Sequence, residues 1–193
     1  MRYLLLLALM SAPQDLQWNE VRSGAKTILL QPKCRPLETS LLGPFVKLGD
    51  GSVLAVDRER VLLSKDDGKT WSARPLFADP EKYQCRDERA VLRTREGTLI
   101  VAFMNQKELV LRWDQKRGGP QPGCRLPVYV TRSTDDGRRW EAPRLVQDGY
   151  CGALRSMIQL RSGRVVLGCQ DAVADPGRHV CMTYVSDDEG KTW

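Results

Sequence analysis

Ser64-Lys65-Asp66-Asp67-Gly68-Lys69-Thr70-Trp71 returns as Ser133-Thr134-Asp135-Asp136-Gly137-Arg138-Arg139-Trp140 and again as Ser186-Asp187-Asp188-Glu189-Gly190-Lys191-Thr192-Trp193. The shared pattern is S-x-D-x-G-x-[TR]-W, with five of its eight positions nearly fixed. Each residue type has a physical reason to be there. A Ser or Asp at the start of a turn accepts from backbone N–H groups ahead of it. The Gly takes a positive φ that other residues avoid. The Trp returns to the sheet and covers the turn with a large apolar ring. The segment is therefore predicted to be a self-contained hairpin connection between two strands.

A second pattern lies upstream of each copy. Phe45-Val46-Lys47-Leu48 precedes Gly49-Asp50-Gly51 and Ser52 to Val56; Ala90-Val91-Leu92-Arg93 precedes Arg95-Glu96-Gly97 and Thr98 to Phe103; Ser156 to Leu160 precedes Arg161-Ser162-Gly163 and Arg164 to Leu167. Each reads as a short apolar strand, a Gly-containing turn and a nearly continuous β-branched strand, which is hairpin chemistry. A third strand leads into each box (Arg60 to Ser64, Leu126 to Ser133, His179 to Ser186), and a fourth leaves it (Trp71 to Leu76, Trp140 to Val146). The unit is four antiparallel strands in about fifty residues, the size of a propeller blade. The expected fold class is all-β: a β-propeller of four-stranded antiparallel blades, with about three blades in this chain. A β-sandwich, the competing all-β fold, does not predict the same turn at the same place in every set of four strands. Blades protect their edges by closing into a ring. The chain is accordingly expected to be the N-terminal part of a longer protein, with ring closure by two copies as the alternative.

The 193 residues carry an ordinary share of apolar and charged side chains and a net charge of +6. A mildly basic surface suits an acidic small molecule or glycan, and serves equally as a solubility feature. No Lys/Arg run is interleaved with aromatics, so no nucleic-acid partner is expected. At the N-terminus Arg2, the apolar run Tyr3 to Met10 and the small residues Ser11 and Ala12 have the layout of a secretory signal. The run is too short to span a bilayer, and no other stretch is longer, so no membrane span is expected. The expected organisation is a signal over 1–12, a lead-in over 13–42 and the partial propeller over 43–193, in a secreted or periplasmic protein. A buried first strand is the other reading of the apolar run. Six cysteines remain after cleavage: Cys34, Cys85, Cys124, Cys151, Cys169 and Cys181. An even number in an exported chain allows disulfides, with the connectivity open and buried thiols as the alternative. There is no C-x-x-C pair and only one histidine, His179. No metal site and no cofactor is expected.

The boxes match the Asp-box, or bacterial neuraminidase repeat, and over about residues 44–193 the chain resembles the sialidase superfamily. The resemblance implies a six-bladed propeller and an exo-glycoside hydrolase acting on terminal sialic acid or a related anionic sugar. It places the boxes on the rim away from the active site, which makes Asp66, Asp135 and Asp188 structural rather than catalytic. It also implies an arginine triad that clamps the sugar carboxylate, a Tyr–Glu nucleophile pair and an Asp as acid/base. Bidentate guanidinium contacts hold such a carboxylate beside a positively charged transition state. Asp-boxes also occur in non-hydrolytic propellers and in other glycosidases. A non-catalytic propeller binding glycan or protein is therefore the alternative, and a hydrolase of another sugar is a third reading.

Aligning the blades on Gly51, Gly97 and Gly163 places Gly43, Arg89 and Arg155 at one position, eight residues earlier. Arg89 and Arg155 then open the channel-lining strand of blades two and three and are the expected substrate-binding residues. The alternative is a surface arginine at a strand end, or a pair with a neighbour such as Glu88. The family's Phe/Tyr-Arg-Ile-Pro motif is absent: Gly43-Pro44-Phe45-Val46 stands there, with Arg35 upstream. For the acid/base, Asp57 ends the second strand of blade one, and Asp171 is expected in the matching loop of blade three. Both also read as ordinary loop carboxylates. A catalytic acid needs a raised pKa. The Tyr, its Glu and the last arginine are expected in later blades. The insertion Asn105 to Arg125 carries Trp113, suited to stacking on a sugar or to covering a blade edge.

Overall fold

The computed structural model describes residues 19–34, 39–174 and 177–193. The expected signal and Arg35 lie outside them. The chain forms two compact units, Met1–Leu37 and Glu38–Trp193. In the first, β1 (Asn19–Ser23) and β2 (Lys26–Leu30) pair antiparallel across a two-residue connection. Gly24 takes φ +60° there, as the first central position of such a turn requires. The lead-in thus contains a hairpin that carries none of the repeat's sequence signals.

The second unit is all-β, with antiparallel sheets that follow the repeat. Blade one is β3 (Phe45–Lys47), β4 (Val53–Val56), β5 (Arg60–Ser64) and β6 (Ser72–Pro75), hydrogen-bonded in that order. Blade two runs β7 (Cys85–Arg93), β8 (Leu99–Asn105), β11 (Val128–Ser133) and β12 (Arg144–Gln147). Between β8 and β11 the insertion forms one 3-10 turn, Gln106–Glu108, and a small ribbon of β9 (Trp113–Asp114) and β10 (Gly119–Pro120). The described strands of blade three are β13 (Cys151–Gln159), β14 (Val165–Val173) and β15 (Arg178–Ser186). The first strands converge, with β7 beside β3 on one side and β13 on the other, so the sheets stack like successive blades of a propeller.

β8 shows why its sequence is one apolar run rather than an alternation. All seven of its residues are buried. Leu99, Val101 and Phe103 join Leu54, Val56, Val61 and Leu76 in the core between blades one and two. Ile100, Ala102 and Met104 join Leu154, Met157, Val165 and Leu167 in the core between blades two and three. A strand covered on both faces has no polar side to show.

The three boxes share the same Ser–Gly and Ser–Asp hydrogen bonds. In the first, Gly68 N–H donates to Ser64 Oγ at 2.8 Å, and Ser64 Oγ–H donates to Asp66 Oδ1 at 2.8 Å. Thr70 donates its N–H to Asp66 Oδ1 and its hydroxyl to Oδ2, at 2.9 and 2.7 Å. Box two has Arg139 in place of the threonine, and its Nε supplies the missing bond to Asp135 Oδ2 at 2.9 Å. The left-handed backbone covers two residues rather than the glycine alone: Asp67, Asp136 and Glu189 also have φ of 54–61°. Aspartate tolerates that region better than most residues; Glu189 takes it without that advantage.

Candidate active site

Strand direction separates the molecule into two ends. The boxes and the turns at Gly51, Gly97 and Gly163 share one end. The β4–β5 loop, the starts of β7 and β13 and the end of β14 share the other. All four expected site residues, Asp57, Arg89, Arg155 and Asp171, are at this second end.

Asp57 and Arg89 are brought together. They line one cleft of about 320 Å³ with Leu41, Gly43, Arg58 and Asp87. Arg89 sits past an irregularity in β7, where Cys85 faces Asn105 and Arg89 faces Phe103. Its guanidinium reaches across to blade one: Nε donates to Val56 O at 2.9 Å and Nη2 to Gly43 O at 2.9 Å. Nη1 donates to the carbonyls of Arg86 and Asp87 at 3.1 and 3.2 Å. Four of the five N–H donors of an arginine are thus on neutral carbonyl oxygens. Among the described residues no carboxylate bonds this charge, and one N–H has no partner.

Asp57 accepts from Arg60 Nε at 3.1 Å. Burial pulls its carboxyl upward. The Arg58 N–H, the Arg60 hydrogen bond and charge and the Arg89 charge outweigh that pull and hold it below the ordinary aspartate value. At neutral pH Asp57 is a carboxylate that accepts protons and hydrogen bonds.

A second cleft of about 430 Å³ shares Arg58 and Asp87 with the first and adds Gln84, Arg86 and Gln106. Arg58 and Asp87 face each other at 3.5 Å, both well exposed. Reading by blade alignment did not reach Arg58, Arg86 or Asp87. The available signal was the run Cys85-Arg86-Asp87-Glu88-Arg89, four charged residues together at the start of an otherwise apolar strand.

Blade three arranges its candidates differently. β13 bulges between Leu154, which faces Cys169, and Ser156, which faces Gly168. Arg155 is the extra residue and is exposed. It is therefore not held as Arg89 is, although the two align in sequence. Glu88 pairs with neither arginine; it accepts from the Leu154 N–H at 3.1 Å and so links β7 to the bulge. Asp171 requires a correction. It lies inside β14, facing Cys151 and Val180, not in a loop. Burial alternates from Val165 to Cys169 and breaks at Asp171, but the backbone pairing with β15 continues to Val173. Asp171 and Arg155 do not line the cleft of Asp57 and Arg89. Trp113 lies 6.3 Å, centroid to centroid, from both Tyr150 and His179, so the insertion packs against blade three, with β10 beside β14. Tyr129 is pushed up to about 12 by burial and by its hydrogen bond to Glu108, away from the cleft.

The BNR repeat-like domain family matches residues 60–193 of this chain. A search of curated protein sequences returns no match. Among solved structures, the Hadza microbial sialidase Hz136 is similar with TM-score 0.56 and 23% identity, over 79% of this chain and 36% of that one. A protein of unknown function from Dyadobacter fermentans is similar with TM-score 0.55 and 18% identity, over 77% of this chain and 51% of that one. The α-L-arabinanase of Penicillium chrysogenum is similar with TM-score 0.52 and 18% identity, over 75% and 45%. The chain spans about half the length of these proteins or less. The fold is one that glycoside hydrolases share.

Proposed function

Because the chain belongs to the family of BNR repeat-like domains, we propose that it is part of an exported, six-bladed sialidase-like exo-glycoside hydrolase acting on terminal sialic acid or a related anionic sugar. The observation that carries this reading is the cleft at the end opposite the boxes, where the Arg89 guanidinium and the Asp57 carboxylate meet. Arg89 offers its charge and one N–H to the sugar carboxylate, and Arg155, exposed on the next blade, offers a whole guanidinium. Asp57 is the carboxylate for proton transfer; Asp171, held inside β14 and outside that cleft, is not assigned the role. Asp57, ionised at rest, takes up that role when an anionic substrate covers the cleft, excludes water and raises its pKa. No residue of this chain is assigned as nucleophile. The layout of Arg2 to Ala12 supports export.

The test uses the full-length protein with a sialoside and with neutral arabinobiose. Arg155→Ala should weaken sialoside binding about tenfold or more and leave arabinobiose unchanged. Asp57→Asn should lower sialoside turnover at least about a hundredfold. Unchanged sialoside affinity in Arg155→Ala sinks the clamp assignment.

A second reading has its own support. Gly43 stands where a further arginine would, and most of Arg89 is spent on backbone carbonyls. A non-catalytic propeller that binds glycan or protein needs no more than that, and a hydrolase of a neutral sugar needs no carboxylate clamp. Glycan binding without turnover selects the former; cleavage of arabinobiose but not of a sialoside selects the latter.

A further inference from the structure

Cys151 and Cys169 occupy neighbouring strands of blade three. Cys151 faces Asp171 and Cys169 faces Leu154 across the β13 bulge, so the two are diagonal neighbours on one face. Both are buried, at 0% and 3% exposure, in the core between blades two and three. The other four cysteines do not share this placement. Cys34 and Cys181 are exposed, Cys124 is half-buried and Cys85 lies in the core between blades one and two.

We propose that Cys151 and Cys169 form a disulfide that fastens the start of β13 to β14 at the bulge bearing Arg155. Diagonal positions on adjacent strands are at the outer limit for joining two short side chains, and the irregular register of β13 between Cys151 and Ser156 is what allows these two to approach. Both are free thiols in this structure, near enough for each side chain to perturb the other's titration. Cys169 lowers Cys151 below the ordinary cysteine value, while Cys151 and burial push Cys169 up. Cys151 is therefore the attacking thiolate. With a disulfide donor such as oxidised glutathione, Cys151 loses its proton and its sulfur displaces one glutathione thiolate. The Cys169 sulfur then attacks the mixed disulfide, and a second glutathione leaves. Two thiols are oxidised, one glutathione disulfide is reduced, and the two departing thiolates take up the two protons. The inference does not depend on the glycosidase reading.

The full chain, prepared reduced, is equilibrated with oxidised glutathione in urea low enough to keep it folded and high enough to open the blade edge transiently. It is quenched with iodoacetamide, digested with trypsin without reduction and weighed. The expected product is the peptide Leu145 to Arg178 region linked as two pieces, Leu145–Arg155 joined to Val165–Arg178. Recovery of both pieces alkylated, or of Cys151 joined to Cys124 instead, overturns the proposal. Thermal melting supplies an independent check. Under oxidising conditions Cys151→Ala, Cys169→Ala and the double variant should all melt about 5–10 °C below the parent, with the double no worse than either single. A reductant should bring the parent down towards them. If the reductant leaves the gap between parent and variants unchanged, the link is absent.

Discussion

A carboxylate that accepts hydrogen bonds from its own turn resists protonation. Asp66 is held at about 2, against an ordinary 3.8, by the Thr70 hydroxyl and N–H and by Ser64. Asp188 is held at about 2 by Thr192 in the same way. In Asp135 burial pulls upward, and the Arg139 N–H and guanidinium with Ser133 bring it to about 2. A carboxylate whose folded pKa is depressed contributes its stability in full above the unfolded pKa, and loses it as pH falls through the folded one. The melting temperature should therefore fall between about pH 4 and pH 2, and Asp66→Asn, Asp135→Asn or Asp188→Asn should each flatten that limb of a melting-versus-pH curve. Asparagine keeps one acceptor but cannot receive the second bond. The box tryptophans differ among themselves. Trp71 and Trp193 donate Nε1–H to Gly68 O and Gly190 O at 2.9 and 3.1 Å, whereas Trp140 Nε1 is buried without a partner among the described residues. By urea unfolding, Trp71→Phe should cost about 1 kcal/mol more than Trp140→Phe.

The boxes are also the joints between blades. A methyl group on Gly137 would stand 2.8 Å from Leu54 Cδ1 of blade one, and one on Gly190 2.8 Å from Ile100 Cδ1 of blade two. Gly163 has a positive φ of 96° but open space around it. Gly163→Ala therefore meets backbone strain alone, while Gly190→Ala meets strain and overpacking. Gly190→Ala should be the more destabilising by about 1–3 kcal/mol in urea unfolding, and Ile100→Val, which removes the struck methyl, should recover part of that difference. At this scale much was legible in advance. The box, the Gly turns and the apolar β-branched runs located the repeated strands because those signals are local. Less legible were the early starts of β7 and β13. Cys85 to Glu88 and Cys151 to Arg155 carry charges and small residues where a strand should alternate, since the bulges there take residues out of register. The length of β14 was hidden because Gln170-Asp171 looks like a turn until its two neighbours are known.

Across the molecule, Arg89 ties blade one to blade two with one side chain. Its partners Gly43 and Val56 lie 46 and 33 residues away. Blade alignment placed Arg89 at the right end of the right strand, but carbonyl acceptors have no sequence signature, so the saturation of its guanidinium was not legible. Asp57 was singled out because it ends the second strand of blade one, and the structure sets it in one cleft with Arg89. Arg89→Ala should destabilise the fold by about 2–4 kcal/mol in denaturant unfolding, and Arg89→Lys should restore less than half of that, because an ammonium cannot span the same fork of carbonyls. The two-sided burial of β8 has a consequence for synthesis. Leu99 to Met104 is six apolar residues with strong β-propensity, no charge and no proline, the composition of a self-complementary amyloid segment. One face is covered by blade one, already made when β8 emerges from the ribosome. The other must wait for β13 and β14, about 70 residues later, or roughly 4–15 s at ordinary translation speeds. For that interval the nascent chain presents a sticky half-strand, and Thr98 and Asn105, with the charges just beyond at Arg95, Glu96 and Lys107, are the gatekeepers that keep neighbouring chains from zipping onto it.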